Sequence, residues 1–145
     1  MDIPEKYREL VKSIAEDNDC GFICFINPAT GEKEEAMPSW LEDPDFLESS
    51  TGEKWEEIYT FENWDHIIEI EPPESYESFK IMEDFTEFRV TGKVQQRLVN
   101  ALSRPKPFGN FKNLVEQSEY RQEWFDYKQE RLEDRAWRFL CNDMP

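Results

Sequence analysis

The chain of 145 residues has few of the residues on which catalytic and metal sites depend. It contains one histidine, three cysteines and five glycines. So few glycines leave no glycine-rich loop that could cradle a phosphate, and no serine or cysteine lies in a nucleophile motif. The longest unbroken apolar run, residues 22–26, is far shorter than a membrane span. We therefore predict no catalytic residue, no cofactor and no membrane contact.

The cysteines and the histidine match the ligand count of a zinc site with three cysteines and one histidine, but their spacing argues against one. Cys20 and Cys24 are four residues apart on a predicted strand, so their Cα atoms are about 13 Å apart. Zinc needs two sulfurs within about 4 Å. His66 follows Asp65 in a predicted strand, where neighbours point to opposite faces, so Asp65 cannot orient it as a base. We predict no metal site, and reduced thiols in a cytoplasm, since the N-terminus resembles no secretory signal.

Charge is distributed unevenly along this acidic chain, whose net charge is −16. Residues 1–88 hold 25 acids and 6 bases, whereas residues 89–145 hold 8 acids and 11 bases. Residues 89–115 contain no acid at all. Because binding to nucleic acid depends on lysine and arginine neutralising phosphates, the acidic part is a poor candidate for it, and we expect a protein as the partner.

The pattern of apolar residues predicts a helix and then a hairpin in the first part of the chain. Tyr7, Leu10 and Ile14 recur at helical spacing, and Asp2 can cap that helix. The segments "GFICFINP" and "KEEAM" flank turn residues and predict two antiparallel strands. The first strand is apolar at every position, so we expect both of its faces to be covered.

A further strand and an ambiguous stretch complete this part. Ile68 and Ile70 alternate with glutamates, and the prolines that follow end the strand. Residues 38–63 mix acids with large apolar side chains, and both a short helix at residues 54–59 and a strand there remain open.

From residue 72 onward the apolar period is helical, and we predict about four helices. The first is expected to bury one face, formed by Tyr76, Phe79, Met82 and Phe85 and widened by Ile81 and Phe88. Glu83 on this helix is expected to pair with an arginine of the last helix, which begins after Ser118. The whole chain is thus predicted to be a single α+β domain, with an acidic helix-and-sheet half (1–71) and a helical half (72–145).

Three stretches of the chain carry a resemblance to a known family. They are "IEIEPPESYESFKIMEDF", "LVNALSRPKPFGNFKNLVE" and "YRQEWFDYKQERLEDRAWRFL". The matching residues are Ser75, Phe79, 81–85, 106–108, Phe111, Lys112, Trp124, Phe125, Tyr127, Lys128 and Trp137. Over roughly residues 64–140 the chain resembles a bacterial group, the uncharacterised protein family (UPF) 0158. The resemblance implies a bacterial origin and a shared fold, but no activity.

The segment "KPFGNF", residues 106–111, allows two interpretations. In the first, Pro107 and Gly109 make a tight turn, and Phe108 and Phe111 fill the gap between the basic helix before it and the last helix. In the second, Phe108 is exposed beside basic side chains and offers a stacking surface. We favour packing, with the basic rim as an accessory surface. The candidate partner-binding residues are Arg97, Arg104, Lys106, Phe108 and Lys112.

Taken together, the sequence predicts a small acidic cytosolic protein that acts through protein–protein contacts without catalysis. Two alternatives stay open. One is a nucleic-acid-associated module that uses the basic segment 89–112. The other is an enzyme whose pocket the sequence does not reveal.

Overall fold

The computed structural model describes residues 2–145, which form two compact units. The sheet unit comprises the described residues up to Pro72 together with Leu132–Pro145, and the helical unit comprises Pro73–Arg131. The strands are β1 (Ile23–Ile26), β2 (Lys33–Ala36) and β3 (Ile68–Ile70). The helices are α1 (Arg8–Asp19), α2 (Pro38–Glu42), α3 (Pro44–Thr51), α4 (Trp55–Ile58), α5 (Ser75–Arg89), α6 (Gly92–Leu102), α7 (Pro107–Glu116) and α8 (Arg121–Leu140). The predicted α+β class and element order are confirmed.

The sheet is antiparallel, with β1 between β2 and β3. Ile23 pairs with Ala36 on one side, and Cys24 pairs with Ile70 on the other. The hairpin and the further strand are therefore as predicted. Each residue of β1 is buried, which confirms that both faces of this strand are covered.

Two apolar clusters cover the two faces of the sheet. The first contains Ile3, Val11, Ile14, Cys24, Ile26, Ile70, Ala136 and Leu140. The second contains Ile23, Phe25, Ala36, Leu47, Tyr59 and Phe61. Alternate residues of β1 enter opposite clusters because successive strand side chains point to opposite faces.

Helix α1 packs as predicted but begins later than predicted. A 3₁₀ turn, Glu5–Tyr7, follows Pro4, and the α-helix starts at Arg8. The expected cap at Asp2 is therefore wrong, because this residue lies before the 3₁₀ turn. Near the end of α1, the buried Asn18 donates its side-chain N–H groups to the carbonyls of Phe22, at 2.9 Å, and of Ile70, at 3.3 Å. This amide ties α1 to the sheet.

Residues 38–63 contain short helices, so the helical alternative for this stretch is the one the structure adopts. Two side chains hold this segment to β2, that of Glu34 on the strand and that of Tyr59 in the segment. The Glu34 carboxylate accepts backbone N–H groups from Thr60, at 3.0 Å, and Phe61, at 2.7 Å. The Tyr59 hydroxyl donates to the Glu35 carbonyl at 2.8 Å, and burial raises the pKa of Tyr59 to about 12.

The helical unit is built around aromatic side chains. The ring of Phe85 lies 5.2 Å from Trp124 and 5.4 Å from Tyr127, and the ring of Phe111 lies 4.9 Å from Trp124, in each case between centroids. The indole N–H of Trp124 is buried and has no hydrogen-bond partner among the described residues. Trp124 is therefore held in this core by ring packing and not by a hydrogen bond of its indole N–H.

The buried face of α5 differs from the predicted one at both ends. Ile81, Met82, Phe85 and Thr86 are buried, whereas Tyr76 and Phe88 are each 69% exposed. Tyr76 lies in the first turn, where helical spacing alone does not say whether a partner element reaches that far. Phe88 shares the helical face of Ile81 and Phe85, but it lies in the last turn of α5, so the expectation that it is buried was wrong.

The predicted ion pair between α5 and α8 exists, but it uses Asp84 rather than Glu83. Arg131 donates from Nη1 to Asp84 Oδ2 at 2.9 Å and to the Tyr127 hydroxyl at 2.6 Å. Glu83 instead lies 3.5 Å from Lys80 on its own helix. Burial acts to raise the pKa of Asp84, but the hydrogen bonds from Arg131 and Lys80 outweigh it and hold the pKa below its usual value.

Candidate partner-binding groove

Helix α6 presents its basic side chains away from the core, as its spacing predicts. Thr91 precedes the helix, and Gly92 begins it with φ +72°, a value that glycine adopts without strain. Leu98 and Ala101 are buried, whereas Lys93 and Arg97 are exposed. The helix therefore has one packed face and one basic face.

The segment "KPFGNF" is the start of helix α7 and not a turn. Lys106 adopts the left-handed conformation (φ 57°, ψ 53°) at the N-terminal cap, and Pro107 is the first helical residue. Proline suits this position because it has no N–H to leave unpaired. The predicted tight turn at Gly109 is wrong, since Gly109 lies within α7 and the left-handed residue is Lys106.

The two phenylalanines of this segment dock α7 onto two different helices. Phe111 is fully buried against Trp124 of α8, as predicted. Phe108 is 37% exposed and is one of the exposed large apolar side chains. Its ring lies 6.4 Å from that of Phe79 on α5. The expectation that both rings fill the space toward the last helix is therefore wrong for Phe108.

A groove of about 400 Å³ runs between α6 and α7. Its lining residues are Arg97, Asn100, Ala101, Arg104, Asn110, Asn113 and Leu114. They combine two guanidinium groups with three carboxamides, and no aspartate or glutamate is among them. Such a set donates many hydrogen bonds and carries positive charge, so it suits carboxylate or phosphate oxygens.

Helical spacing explains how these side chains converge. Arg97 and Asn100 are three residues apart on α6, and Asn110 and Asn113 are three apart on α7, so each pair lies on one helix face, while Arg104 follows the end of α6. Asn110 also donates its side-chain N–H to the Pro105 carbonyl at 3.0 Å, which fixes the segment between the helices. This amide has a structural role as well as a place in the groove.

The structure places only two of the five candidate partner-binding residues in the groove. Arg97 and Arg104 line the groove, whereas Lys106, Phe108 and Lys112 are exposed on α7 or at its start without lining it. Sequence reasoning missed Asn100 and Asn113. Their spacing from the arginines and from Asn110 was the available signal, but uncharged amides do not stand out in a search for charge.

A second recess of about 360 Å³ adjoins the groove and shares Arg97 and Leu114 with it. Its other lining residues are Val94, Gln117, Ser118 and Glu119. Glu119 contributes negative charge to this recess, so the positive character is concentrated on the Asn100 and Arg104 side. One end of the groove is therefore positively charged, and the end next to this recess carries charges of both signs.

Features typical of metal or nucleophile sites are not assembled in the described part of the chain. Residues 2–145 contain no group of three or more histidine, cysteine or acidic side chains placed to hold a metal ion. Burial, and then the nearby Asp17 carboxylate, raises the pKa of Cys24 to about 12, so its thiol is neutral at physiological pH. His66 is exposed in a bend before β3 and not within a strand as predicted.

Within the same residues, no helix has both the length and the apolar character needed to cross a membrane.

Comparison with known proteins agrees with the resemblance seen in the sequence. The chain has no match among curated proteins or among solved structures. A family model matches residues 40–144, a longer stretch than the resemblance covers, and this stretch includes the end of α2 and all of α3 to α8, with the groove between α6 and α7. The chain belongs to the uncharacterised protein family UPF0158.

Proposed function

We propose that this protein acts without catalysis, by binding an acidic segment of a partner protein in the groove between α6 and α7. Arg97 and Arg104 would pair with carboxylates of the partner, and Asn100 and Asn113 would donate hydrogen bonds to the same oxygens or to the partner backbone. The protein would be a binding module rather than an enzyme.

The observation that carries this proposal is the local reversal of charge. The chain has a net charge of −16, yet the lining of this groove contains two arginines and no acid. Charge complementarity mainly sets the rate of association and the choice of partner. An isolated cationic groove on an acidic chain therefore selects an acidic segment short enough to avoid the surrounding negative charge.

We place this activity in the bacterial cytosol. The resemblance to a bacterial family supports the origin, and the three cysteines support a reducing compartment, because all three are free and Cys20 and Cys141 are exposed.

The nucleic-acid alternative is weaker on the same observations. Lys93, Lys106 and Lys112 add positive charge near the groove but lie outside its lining. Affinity for nucleic acid rises with the number of phosphates neutralised, and the charge of the rest of the chain opposes it. An enzymatic role gains nothing from this groove, whose lining holds no histidine, cysteine or carboxylate to act as a base or nucleophile.

Binding of model ligands tests the proposal directly. Fluorescence anisotropy would compare a labelled glutamate-rich peptide, a glutamine-rich peptide of equal length and an oligothymidylate. We expect only the glutamate peptide to bind, with an affinity that falls as salt is added. Arg97→Glu combined with Arg104→Glu should weaken that binding by at least about tenfold.

A matched control separates the groove from general electrostatics. Lys12→Glu combined with Arg138→Glu makes the same change in net charge at two exposed positions outside the groove. This pair should leave peptide binding nearly unchanged. Equal losses in both double variants would show that the groove is not the site. Tighter binding of oligothymidylate, lost in the groove variant, would replace the proposal with the nucleic-acid alternative.

A further inference from the structure

Helix α6 borders a second groove, of about 570 Å³, which it forms with α5. The lining residues are Phe79, Glu83, Thr86, Glu87, Gln95, Val99, Leu102 and Ser103. None of them is basic, so this groove has the opposite character to the one between α6 and α7. We refer to it as the α5–α6 groove.

Apolar side chains are exposed along the α5–α6 groove. Val99 is 54% exposed although it is β-branched and apolar, and Phe79 and Leu102 are only partly buried beside it. Tyr76 lies three residues before Phe79 on the same face of α5, so it extends this surface by a turn. Contiguous exposed apolar surface that is rimmed by polar groups marks an interaction site.

Acidic side chains form one wall of the α5–α6 groove. Glu83 and Glu87 are one helical turn apart, so both face the groove from α5. Lys80 lies 3.5 Å from Glu83 but 3.1 Å from Asp84, and both Lys80 and Glu83 are more than half exposed. Exposed pairs of this kind are weak, so Glu83 remains available to a competing cation.

The two grooves use opposite flanks of α6. On α6, Arg97 and Asn100 face one groove, whereas Gln95, Val99 and Leu102 face the other. At 3.6 residues per turn, the centres of these two sets are nearly half a turn apart around the helix. A ligand in one groove therefore leaves the other groove open.

We propose that the α5–α6 groove docks an amphipathic helix of a basic partner protein. The apolar face of that helix would cover Val99 and Leu102, and lysine or arginine residues on its flank would meet Glu83 and Glu87. A groove between two helices accepts the side-chain ridge of a third helix, which is a common mode of peptide recognition. The acidic wall selects a basic flank.

The charge of the protein favours this occupant over a second copy of the chain. Each copy carries −16, so two copies repel each other at low and moderate salt. A basic partner is attracted by the same field. This inference is independent of the ligand proposed for the groove between α6 and α7, and either can fail alone.

The test uses the full chain and designed helical peptides. The probe is a labelled helical peptide with leucines spaced to form one apolar face and lysines on the flank. One comparison peptide carries glutamates in place of the lysines, and another keeps the lysines but carries glutamines in place of the leucines. We expect that, of the three peptides, only the lysine–leucine peptide binds measurably, because binding needs both the burial of apolar surface and the pairing of opposite charges.

Variants of the groove then locate the binding. Val99→Gln should weaken the lysine–leucine peptide by at least about tenfold, because it removes exposed apolar surface without adding charge. Glu83→Lys combined with Glu87→Lys should weaken it further and allow the glutamate–leucine peptide to bind. Glu123→Lys combined with Glu130→Lys makes the same charge change at exposed sites on α8 and should alter neither affinity much.

Three results would overturn the inference. The first is equal binding of the lysine peptide without leucines, which would mean that the acidic chain attracts any cation. The second is an unchanged preference in the Glu83→Lys, Glu87→Lys variant, provided that its circular dichroism and denaturation match those of the parent chain. The third is concentration-dependent self-association that Val99→Gln abolishes, which would make a second copy the occupant.

Discussion

The sheet unit and the helical unit are stabilised by different kinds of core. In the sheet unit, a single four-residue strand separates an aliphatic cluster from one that contains several aromatic rings, and the buried Asn18 joins a helix to the strands through backbone carbonyls. In the helical unit, aromatic rings dominate, and Arg131 joins two helices through the side chains of Asp84 and Tyr127. The sheet unit thus combines a neutral buried amide with charged contacts, among them the Glu34 carboxylate and the Lys33–Asp17 ion pair, whereas the helical unit relies on the ion pair between Arg131 and Asp84.

The buried amide of Asn18 and the Arg131–Asp84 ion pair are expected to differ in how their contribution to stability responds to pH. A neutral amide bonded to carbonyls does not respond to pH, whereas an ion pair does. The helical unit also holds both grooves described above, and the contact between two of its helices depends on the titrating group Asp84. Four experiments test this contrast.

The largest expected effect is in the reactivity of the three thiols. Cys24 lies fully buried in the sheet unit and its pKa is raised to about 12, whereas Cys20 and Cys141 are exposed. Since the thiolate is the reactive form, iodoacetamide at mildly alkaline pH should modify Cys24 at least about a thousandfold more slowly than the other two. Mass spectrometry of the labelled peptides over time measures this. Comparable rates at all three would show that the sheet core is open.

The next effect concerns the aromatic core of the helical unit. Phe111→Ala removes a fully buried ring from beside Trp124 and should lower the free energy of unfolding by about 3–5 kcal/mol. Chemical denaturation measures the loss. The prediction that the chain is a single domain requires one transition in this variant, with Cys24 becoming reactive in the same step. Two separate transitions would show that the two units unfold independently. An unchanged midpoint would contradict the packing role of Phe111.

The third effect is pH-dependent and belongs to the ion pair. Asp84→Asn should lower the free energy of unfolding by about 1–3 kcal/mol at neutral pH, because a charged partner of Arg131 is lost. The pKa of Asp84 is lowered in the folded protein, so its contribution is present above the ordinary aspartate pKa, near about 4, and is lost as the pH falls through the folded-state value. Parent and variant should therefore converge in stability in acid.

Glu83→Gln serves as the control for this experiment. Glu83 is exposed on the same helix and lies near Lys80, so its substitution should have little effect at any pH. A stability difference between the parent and Asp84→Asn that did not change between neutral pH and acid would contradict the electrostatic explanation.

The smallest effect is at the start of α7. Lys106 adopts a left-handed conformation in which a side chain is disfavoured, so Lys106→Gly should raise the free energy of unfolding by about 1 kcal/mol. Lys106→Ala keeps the same constraint and should change it by less than about 0.5 kcal/mol. Thermal and chemical denaturation of the pair would distinguish backbone strain from any role of the lysine charge. Equal stabilities of the two variants would contradict the strain argument.

The sequence predicted strands and helices well where the spacing of the apolar residues agrees with the residues that end an element, such as proline. Ile68 and Ile70 alternate with glutamates before two prolines, and the third strand lies there. Leu98 and Ala101 share one helical face, and both are buried. Residues 38–63 gave no such agreement, because their apolar side chains fill a cluster against β1 and β2 from very short helices that have no period of their own.

The candidate site was half predictable for a related reason. Charge identified Arg97 and Arg104, but the groove needs the carboxamides of Asn100 and Asn113, which only a search by helix face would add. The tight turn expected at Gly109 was wrong because Pro107 can begin a helix as well as end one. Of the side chains that line the α5–α6 groove, Phe79 was assigned to the buried face, since an exposed apolar face and a buried one have the same period, and Glu83 was assigned to an ion pair with the last helix.

The sheet unit combines residues from the early and the late part of the chain, and this affects the order in which its core forms during synthesis. The cluster on one face of its sheet joins Ile3 and Val11 to Ala136 and Leu140. Ile26, the end of β1, and Leu140 are 140 − 26 = 114 residues apart, so at about 5–20 residues per second the first strand waits roughly 6–23 seconds for that late residue to be synthesised. The helical unit, Pro73–Arg131, is continuous in sequence and is complete before Leu140 is made. On the ribosome, the sheet is thus made first but completes its core last, and its uncovered face is then a substrate for chaperones.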